Sequence, residues 1–197
     1  MRTPVKFAAA AAAGVLATLT LSGTSSARST ADASLQAQAA RAGLSGSEAA
    51  ELGARIDRQL ALVPGGKRIG LNQAAWRGGK AVMTWPLPGE AKARAVDEPS
   101  VALGSPNCAY GWTCLYEHAN FDGRRLTWSD CAFENLADWG FSDKTTSWHN
   151  NQSGGAVTSV FNWTGSNWEQ LWSSAAPASS SYVGSGANDR ADGLWVC

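Results

Sequence analysis

The chain has 197 residues, with 16 Lys+Arg and 16 Asp+Glu, so its formal net charge at pH 7 is zero. The charge is uneven, because residues 1–100 contain 12 basic and 7 acidic residues whereas residues 101–197 contain 4 and 9. The acidic C-terminal half argues against nucleic acid as a partner, since phosphate recognition needs clustered Lys and Arg. The length allows one ordinary domain with additional segments.

The N-terminus has the composition of a secretory signal peptide. A short basic start with Arg2 and Lys6 precedes the apolar, alanine-rich residues 7–21, and small residues up to Ala27 suit cleavage. A transmembrane anchor is the alternative, but the apolar stretch is short and is interrupted by threonines. We predict a signal peptide over residues 1–27, a secreted extracellular protein, and no membrane association after cleavage.

A small helix-plus-hairpin unit is predicted over residues 28–85. Residues 28–34 have the composition of a flexible leader, and residues 35–63 carry apolar side chains at helical spacing. Residues 68–76 and 80–85 then predict two strands of a hairpin. The unit is too short to bury a large core alone. It is therefore either a pro-region that docks on the acidic domain or a constitutive subdomain.

Residues 86–105 predict a linker between this unit and the domain of residues 106–197. The segment is rich in Pro, Ala and charged residues. Lys92–Arg94 within it is predicted to be an exposed site for proteolysis.

All four cysteines lie after residue 107, within the predicted main domain. An even number of cysteines in an exported chain predicts disulfides, and three pairings are possible. Cys108 and Cys114 are close enough to join at the entry to the first strand, which leaves Cys131 to pair with Cys197. Zinc is the alternative, but the chain has no Cys-x-x-Cys pair.

The segment after Cys108 favours short strands over helices. Eight of the ten tryptophans lie here, among many Gly, Ser and Asn residues. The predicted strands are residues 113–117, 125–128, 146–150, 156–162, 169–173 and 193–197, with one helical turn at residues 135–139.

An internal repeat of about 46 residues relates the two halves of this domain. Trp168 corresponds to Phe121, Trp195 corresponds to Trp148, and Asn188–Gly193 corresponds to Ser142–Ser147. Two four-stranded Greek keys packed face to face would form one all-β sandwich.

Three residues carry the clearest motif. Tyr116 and Phe121 are aromatic and Gly123 follows, a spacing that is typical of a folded hairpin in which glycine allows a positive φ. This pattern resembles the signature of βγ-crystallin domains. The second copy departs from it, because Gln170 stands where glycine is expected. The resemblance implies an all-β, βγ-crystallin-like double Greek-key sandwich over residues 106–197.

The sequence around the motif resembles a more specific group. The segments that begin at Cys114, Asn135 and Asp143 are similar to bacterial secreted proteins grouped as a peptidase inhibitor family with a βγ-crystallin fold. The founding member inhibits zinc metalloproteinases, so the resemblance implies a monomeric inhibitor of an extracellular peptidase. The reactive loop of that family cannot be matched to this sequence residue by residue. Residues 150–155 and 175–180 are candidate exposed loops, and each is equally interpreted as a connector.

The βγ-crystallin resemblance also implies calcium as a cofactor. Such domains often bind calcium through paired Asn/Asp-Asn/Asp-x-x-Ser/Thr-Ser stretches, which supply the oxygen ligands that the ion prefers. Here Ser142–Ser147 lacks the first residue of the pattern, and Asn188–Gly193 replaces both hydroxyl residues. The alternative is turn chemistry that satisfies loop backbone groups. The implied ligands are Asp143, Thr146, Asp189 and Asp192, with the backbone carbonyls of Lys144 and Arg190.

Catalysis is not indicated. The only histidines, His118 and His149, have no zinc-ligand spacing, and no Gly-x-Ser-x-Gly motif is present. We predict that the protein is not an enzyme. Its alternative roles are a calcium-binding structural or cell-envelope protein and a secreted toxin of the same fold. Aromatic faces also stack on sugars, and Trp112, Trp163 and Trp168 are the candidates for an exposed platform.

Overall fold

The computed structural model describes the backbone of residues 23–197 and the side chains of residues 31–197. It begins with two helices, α1 (Gly23–Arg41) and α2 (Gly46–Leu62). The helix predicted over residues 35–63 is therefore interrupted, and the expectation of an irregular leader over residues 28–34 is wrong. The predicted signal peptide lies almost wholly outside the described residues.

A capping box explains the break between the helices. The Ser45 hydroxyl accepts a hydrogen bond from the Glu48 backbone N–H, and the Glu48 carboxylate accepts one from the Ser45 N–H at 2.8 Å. This arrangement satisfies backbone donors that an α-helix leaves unpaired at its start. Helix α2 then buries Leu52 and Ile56 at the spacing of one helix face.

Eleven strands follow in the described residues. They are β1 (Lys67–Gly70), β2 (Gln73–Trp76), β3 (Ala81–Thr84), β4 (Trp112–Tyr116), β5 (Arg125–Trp128), β6 (Phe133–Asn135), β7 (Ser147–Asn151), β8 (Val157–Trp163), β9 (Trp168–Ala175), β10 (Ala178–Ser180) and β11 (Gly193–Trp195). The sequence missed the three-residue strands β6 and β10, which are too short for a visible alternation of polar and apolar residues.

Strands β4–β11 form two interlocked Greek keys. One sheet has the order β5-β4-β7-β10 and the other has the order β6-β11-β8-β9. Strands β4–β7 form the first Greek key and β8–β11 the second, and each key places its third strand in the sheet of the other. The protein therefore has the predicted all-β, βγ-crystallin-like double Greek-key fold. Buried residues of both sheets, including Trp128 and Leu194, form one core together with Phe141 from the segment before β7.

The N-terminal unit continues the first sheet. Strand β3 pairs with β5 in antiparallel register, so the full sheet has the order β1-β2-β3-β5-β4-β7-β10. The strand predicted over residues 68–76 is divided between β1 and β2. The cause is a buried turn at Asn72, whose amide donates to the carbonyls of Trp85 and Arg94 at 2.6 Å each.

Trp139 is the centre of the contact between the N-terminal unit and the first Greek key. Trp76 packs edge-on against its ring with centroids 5.4 Å apart, and the Arg77 guanidinium lies 5.4 Å from the ring centroid. The Gln59 amide of α2 donates to the Trp139 carbonyl at 2.8 Å. Because helix α2 and strand β2 both hold this residue, the unit and the domain share one core.

The predicted linker is fixed to the sandwich. Glu98 accepts two hydrogen bonds of 2.9 Å from the Arg125 guanidinium. The Ala91 carbonyl accepts one from the Gly123 N–H at 2.8 Å. Ala93 is fully buried. The expectation that Lys92–Arg94 is exposed is therefore wrong.

Two disulfides close the domain in the pairing expected from the sequence. Cys108 bonds Cys114 across 6 residues, and Cys131 bonds Cys197 across 66. The second disulfide ties the end of the chain to the entry of β6, so it holds β11 beside β6. Disulfides indicate an oxidising environment.

Candidate functional site: the paired loops and the aromatic face

The loop pair, residues 142–147 and 188–193, lies where the two Greek keys meet. Asp143 and Asp189 occupy equivalent positions and have φ of 55° and 53°. Asp tolerates this left-handed conformation better than most residues. The Asp143 N–H donates to the Ala191 carbonyl at 3.0 Å, and the Asp189 N–H donates to the Thr145 carbonyl at 3.4 Å. The loops therefore bond each other reciprocally.

The predicted ligand side chains are shared equally between the two loops, which the internal repeat relates to each other. The Thr146 hydroxyl donates to the Asp189 carboxylate at 3.4 Å. On the other side, burial raises the pKa of Asp143, and the neighbouring Asp192 and Asp189 carboxylates raise it further. The structure thus brings the Asp189 and Asp192 carboxylates close enough to Asp143 to disfavour its ionised form electrostatically.

Two buried oxygens of the loop pair have no hydrogen-bond partner among the described residues. They are the Thr145 hydroxyl and the side-chain carbonyl of Asn188. Buried polar groups are normally paired, so unpartnered oxygens beside carboxylates fit the donor set of a hard cation. However, residues 23–197 contain no cluster of three or more His, Cys, Asp or Glu side chains suited to a metal. A cation here would depend on hydroxyl and carbonyl oxygens, including those of Lys144 and Arg190.

The sixth positions of the two loops have other roles. The Ser147 hydroxyl accepts from the Phe121 N–H at 3.1 Å and donates to the His118 carbonyl at 2.6 Å, so it holds the β4–β5 hairpin. A Cβ on Gly193 would lie 2.7 Å from the Trp168 ring and 2.8 Å from the Phe133 ring. Glycine is therefore required at position 193 by aromatic packing.

The β4–β5 hairpin is folded back on its own sheet. Tyr116 and Phe121 are buried and pack edge-to-face, with ring centroids 5.4 Å apart. Gly123 has a φ of 75°, and a Cβ on it would lie 2.8 Å from the Glu117 Cβ. A larger residue at this position is excluded by both the backbone conformation and the close approach.

The β8–β9 hairpin stays paired as far as Trp163 and Trp168 and presents aromatic rings instead. Trp163 and Trp168 are cross-strand partners, with ring centroids 5.1 Å apart and planes inclined at 51°. Phe133 of β6 lies 5.0 Å from Trp168 and 6.3 Å from Trp195 of β11. We call these four residues the aromatic face. Their exposed fractions are 38% for Phe133, 44% for Trp163, 39% for Trp168 and 47% for Trp195.

A cavity of about 450 Å³ separates the loop pair from the aromatic face. Trp163 and Trp168 line one part of it, and Asn135, Ser142, Asp143 and Asp192 line another. The Asp192 carboxylate accepts from the Trp163 backbone N–H at 2.9 Å, which joins the loop pair to the β8–β9 hairpin. The sequence identified the two tryptophans, but only the fold places them beside these polar groups.

The two predicted inhibitory loops are exposed only in part. Asn150 and Gln152 are buried whereas residues 153–155 form an exposed turn, and residues 178–180 form strand β10 against β7. The disulfide-framed loop, residues 108–114, is a further exposed segment. Tyr110 at its tip is 73% exposed. The loop is held to β7 because the Gly111 N–H donates to the Asn151 carbonyl at 2.8 Å.

The side chains of the two histidines have no hydrogen bond to the loop pair among the described residues, although the His118 backbone carbonyl accepts from Ser147. Burial lowers the pKa of His149, and its Nδ1 atom has no hydrogen-bond partner among the described residues. Within residues 23–197, no helix combines the length and apolar character needed to cross a membrane.

No protein-family model matches the chain, and no curated protein matches it significantly. Similar solved structures include a βγ-crystallin domain from Clostridium beijerinckii, with 18% identity and a TM-score of 0.35 over 43% of this chain and 94% of that one. A structure from work on the evolution of the eye-lens βγ-crystallin domain fold has 20% identity and a TM-score of 0.35, over 47% and 91%. Identities and TM-scores this low support no statement about function. The fold is therefore assigned from the strand order alone.

Proposed function

We propose that the protein is an extracellular calcium-binding module whose site is the loop pair. The observation that carries the proposal is a pair of reciprocally bonded loops that hold the unpartnered buried oxygens of Thr145 and Asn188 beside the carboxylates of Asp143, Asp189 and Asp192. A bound cation would supply positive charge that relieves the repulsion among these carboxylates. The carboxylates of Asp143 and Asp189 would each anchor one half of the loop pair.

Calcium titration of the oxidised chain tests this proposal. We expect heat on calcium addition in isothermal titration calorimetry and a rise in melting temperature, because a ligand that binds only the folded state stabilises it. Stabilisation would be about 2.7 kcal/mol at a calcium concentration of 100 times Kd. Magnesium should bind more weakly, because it requires a tighter octahedral shell.

Matched carboxylate variants locate the ion. Asp189→Asn should weaken calcium binding, whereas Asp138→Asn should not, because Asp138 lies in the short helical turn at residues 136–139 and outside the loop pair. Equal calcium affinity in Asp189→Asn and the parent chain would contradict the proposal. So would a melting temperature that does not respond to millimolar calcium.

Peptidase inhibition is a second candidate, favoured by the disulfide-framed loop. This loop presents Tyr110 in a segment fixed by the Cys108–Cys114 disulfide and by hydrogen bonds to Asn151. Rigid loops bind peptidase clefts tightly because little conformational entropy remains to be lost. The resemblance to secreted peptidase inhibitors supplies the target class, an extracellular peptidase and specifically a zinc metalloproteinase.

Titration against thermolysin-like and subtilisin-like peptidases, with and without calcium, tests this candidate. Stoichiometric loss of peptidase activity is expected for the parent chain, and Tyr110→Ala should relieve it. Tyr182→Ala is the control, because Tyr182 is also exposed but lies far along the chain beside β10. Slow digestion of the chain without inhibition would eliminate this candidate and leave the calcium proposal unaffected.

A further inference from the structure

We propose that the cavity beside Trp163 and Trp168 is a binding site for a neutral oligosaccharide of pyranose units. This inference does not depend on calcium binding by the loop pair. It rests on two exposed tryptophan rings that meet at an angle, a cavity of ligand size between them and the loop pair, and a set of polar side chains on the opposite wall.

The aromatic wall is the first argument. Trp163 and Trp168 expose 44% and 39% of their surface although both are large apolar residues near the core. The face of an aromatic ring carries partial negative charge, so it attracts the C–H groups on the face of a sugar ring. Two planes inclined at 51° offer two stacking surfaces for adjacent sugar units.

The polar wall is fixed in position before any ligand arrives. The Asn135 carbonyl oxygen accepts from the Ala137 N–H at 3.1 Å, which leaves its amide N–H groups available as donors. One Asp192 oxygen accepts from the Trp163 N–H at 2.9 Å, which leaves the other available as an acceptor. Donors and acceptors that are oriented in advance suit sugar hydroxyls, because little ordering entropy is then lost on binding.

Size and charge restrict the ligand further. A cavity of about 450 Å³ is within the range of small-molecule sites and could enclose one or two sugar units. Asp143 and Asp192 line it, and no Lys or Arg does. Anionic ligands such as acidic sugars are therefore disfavoured. A purely apolar partner is also disfavoured, because it would remove the carboxylates from water without pairing them.

The absence of a side chain at Gly193 allows the rings of the aromatic face to pack closely. A Ser at this position would restore the last residue of the crystallin-type loop pattern, with Asp192 still replacing the hydroxyl residue before it, but its Cβ would overlap Trp168 and Phe133. The packing of Trp168 and Phe133 therefore excludes the serine that the crystallin-type pattern has at this position. At position 193, the loop departs from the calcium-binding pattern because the aromatic rings occupy the space that a side chain would need.

Binding of four soluble hexasaccharides tests the proposal. Chitohexaose, cellohexaose, laminarihexaose and mannohexaose should be titrated into the intact, oxidised chain, with tryptophan fluorescence and calorimetry as readouts. We expect at least one of them to bind, and Trp163→Ala and Trp168→Ala should each weaken it by roughly tenfold or more, since tenfold corresponds to 1.4 kcal/mol. Binding should persist in EDTA, where any calcium site is empty.

Trp195→Ala is the matched control. Trp195 belongs to the same face and is equally exposed, but it does not line the cavity. Its removal should leave sugar affinity unchanged. The variants Trp163→Ala and Trp168→Ala are on opposite strands, so one of them is informative if the other fails to fold. Circular dichroism and thermal unfolding identify such a failure.

Three results would overturn the proposal. The first is no binding of any of the four hexasaccharides at concentrations up to about 5 mM, where even weak sites are detected. The second is an equal loss of affinity in Trp195→Ala and Trp168→Ala. The third is a dimer in analytical ultracentrifugation that Trp168→Ala dissociates, which would make the aromatic face an interface between copies of this chain.

Discussion

The two Greek keys share a strand order but use their hairpins in opposite ways. In the first key, the hairpin folds back and buries Tyr116 and Phe121. In the second, the hairpin stays paired as far as Trp163 and Trp168 and exposes both side chains. The difference follows from two positions, because Gly123 and Ser147 close the first hairpin whereas Gln170 and Gly193 stand at their counterparts. The same topology therefore produces a stabilising element in one key and an accessible surface in the other.

The outer strands of the two sheets also differ. The outer edge of β5 is paired with β3 of the N-terminal unit, whereas the equivalent strand β9 has β8 as its only partner among the described strands. The N-terminal unit covers Trp139 of the first key, and nothing in residues 23–197 covers the aromatic face in the same way. The first key thus contacts the N-terminal unit, whereas the aromatic face of the second key is partly exposed.

The largest difference in stability between the two keys should appear when the equivalent residues Phe121 and Trp168 are each replaced by alanine. Phe121→Ala removes a fully buried ring and should lower the free energy of unfolding by about 3–5 kcal/mol. Trp168→Ala removes a partly exposed ring and should cost less than about 2 kcal/mol, because the ring is already partly in water. Urea unfolding measures both. Equal losses would show that the second hairpin contributes to the core as much as the first.

The two disulfides should differ in the same experiment. The Cys131–Cys197 disulfide closes 66 residues and connects the keys, so replacing both cysteines with serine should cost about 4 kcal/mol in the chain-entropy model. The Cys108–Cys114 disulfide closes only 6, and its loss should cost about 2 kcal/mol. A larger loss for the short disulfide would indicate that the framed loop, rather than the connection between keys, limits stability.

Restoring the last residue of the crystallin pattern in the second loop should be destabilising. Gly193→Ser places a Cβ within 2.7 Å of Trp168, so the rings of the aromatic face must shift. We expect a loss of about 1–3 kcal/mol, typical of overpacking, and a change in tryptophan emission. The corresponding change in the first key, Ser147→Gly, should act through lost hydrogen bonds to the hairpin. Unchanged emission in Gly193→Ser would argue against close packing of Trp168 on β11.

The smallest change in the free energy of unfolding is expected when the charge of Asp143 in the loop pair is removed. Because the folded protein raises the pKa of Asp143, its ionised form is disfavoured on folding. The cost is fully present above the folded pKa and disappears as pH falls below the unfolded value. Asp143→Asn should therefore stabilise the calcium-free chain at pH 7 by at most about 0.5 kcal/mol, since the group is exposed. Thermal melts between pH 3 and pH 7, about the range in which Asp titrates, measure the difference. Destabilisation at pH 7 would mean that Asp143 makes a favourable contact.

The amino-acid sequence alone was sufficient for the local features of this protein. Strand β5 lies at the predicted residues 125–128, and the disulfides join the cysteines in the pairing expected from their spacing. The folded hairpin at Tyr116, Phe121 and Gly123 was also predictable, because its geometry depends on residues within a few positions of one another. These features require only short-range sterics and periodicity.

Tertiary structure alone decided how distant segments combine. The pairing of β3 with β5, the burial of Ala93 and the contacts of Trp139 join segments separated by tens of residues, and their sequence carries no periodic signal of the partner. The cavity likewise combines Asn135, Asp143 and Trp168 from three separate loops and strands. Composition could predict exposed tryptophans, but whether they face polar groups depends on the interlocking of the two Greek keys. Long-range packing, rather than local propensity, places the candidate site.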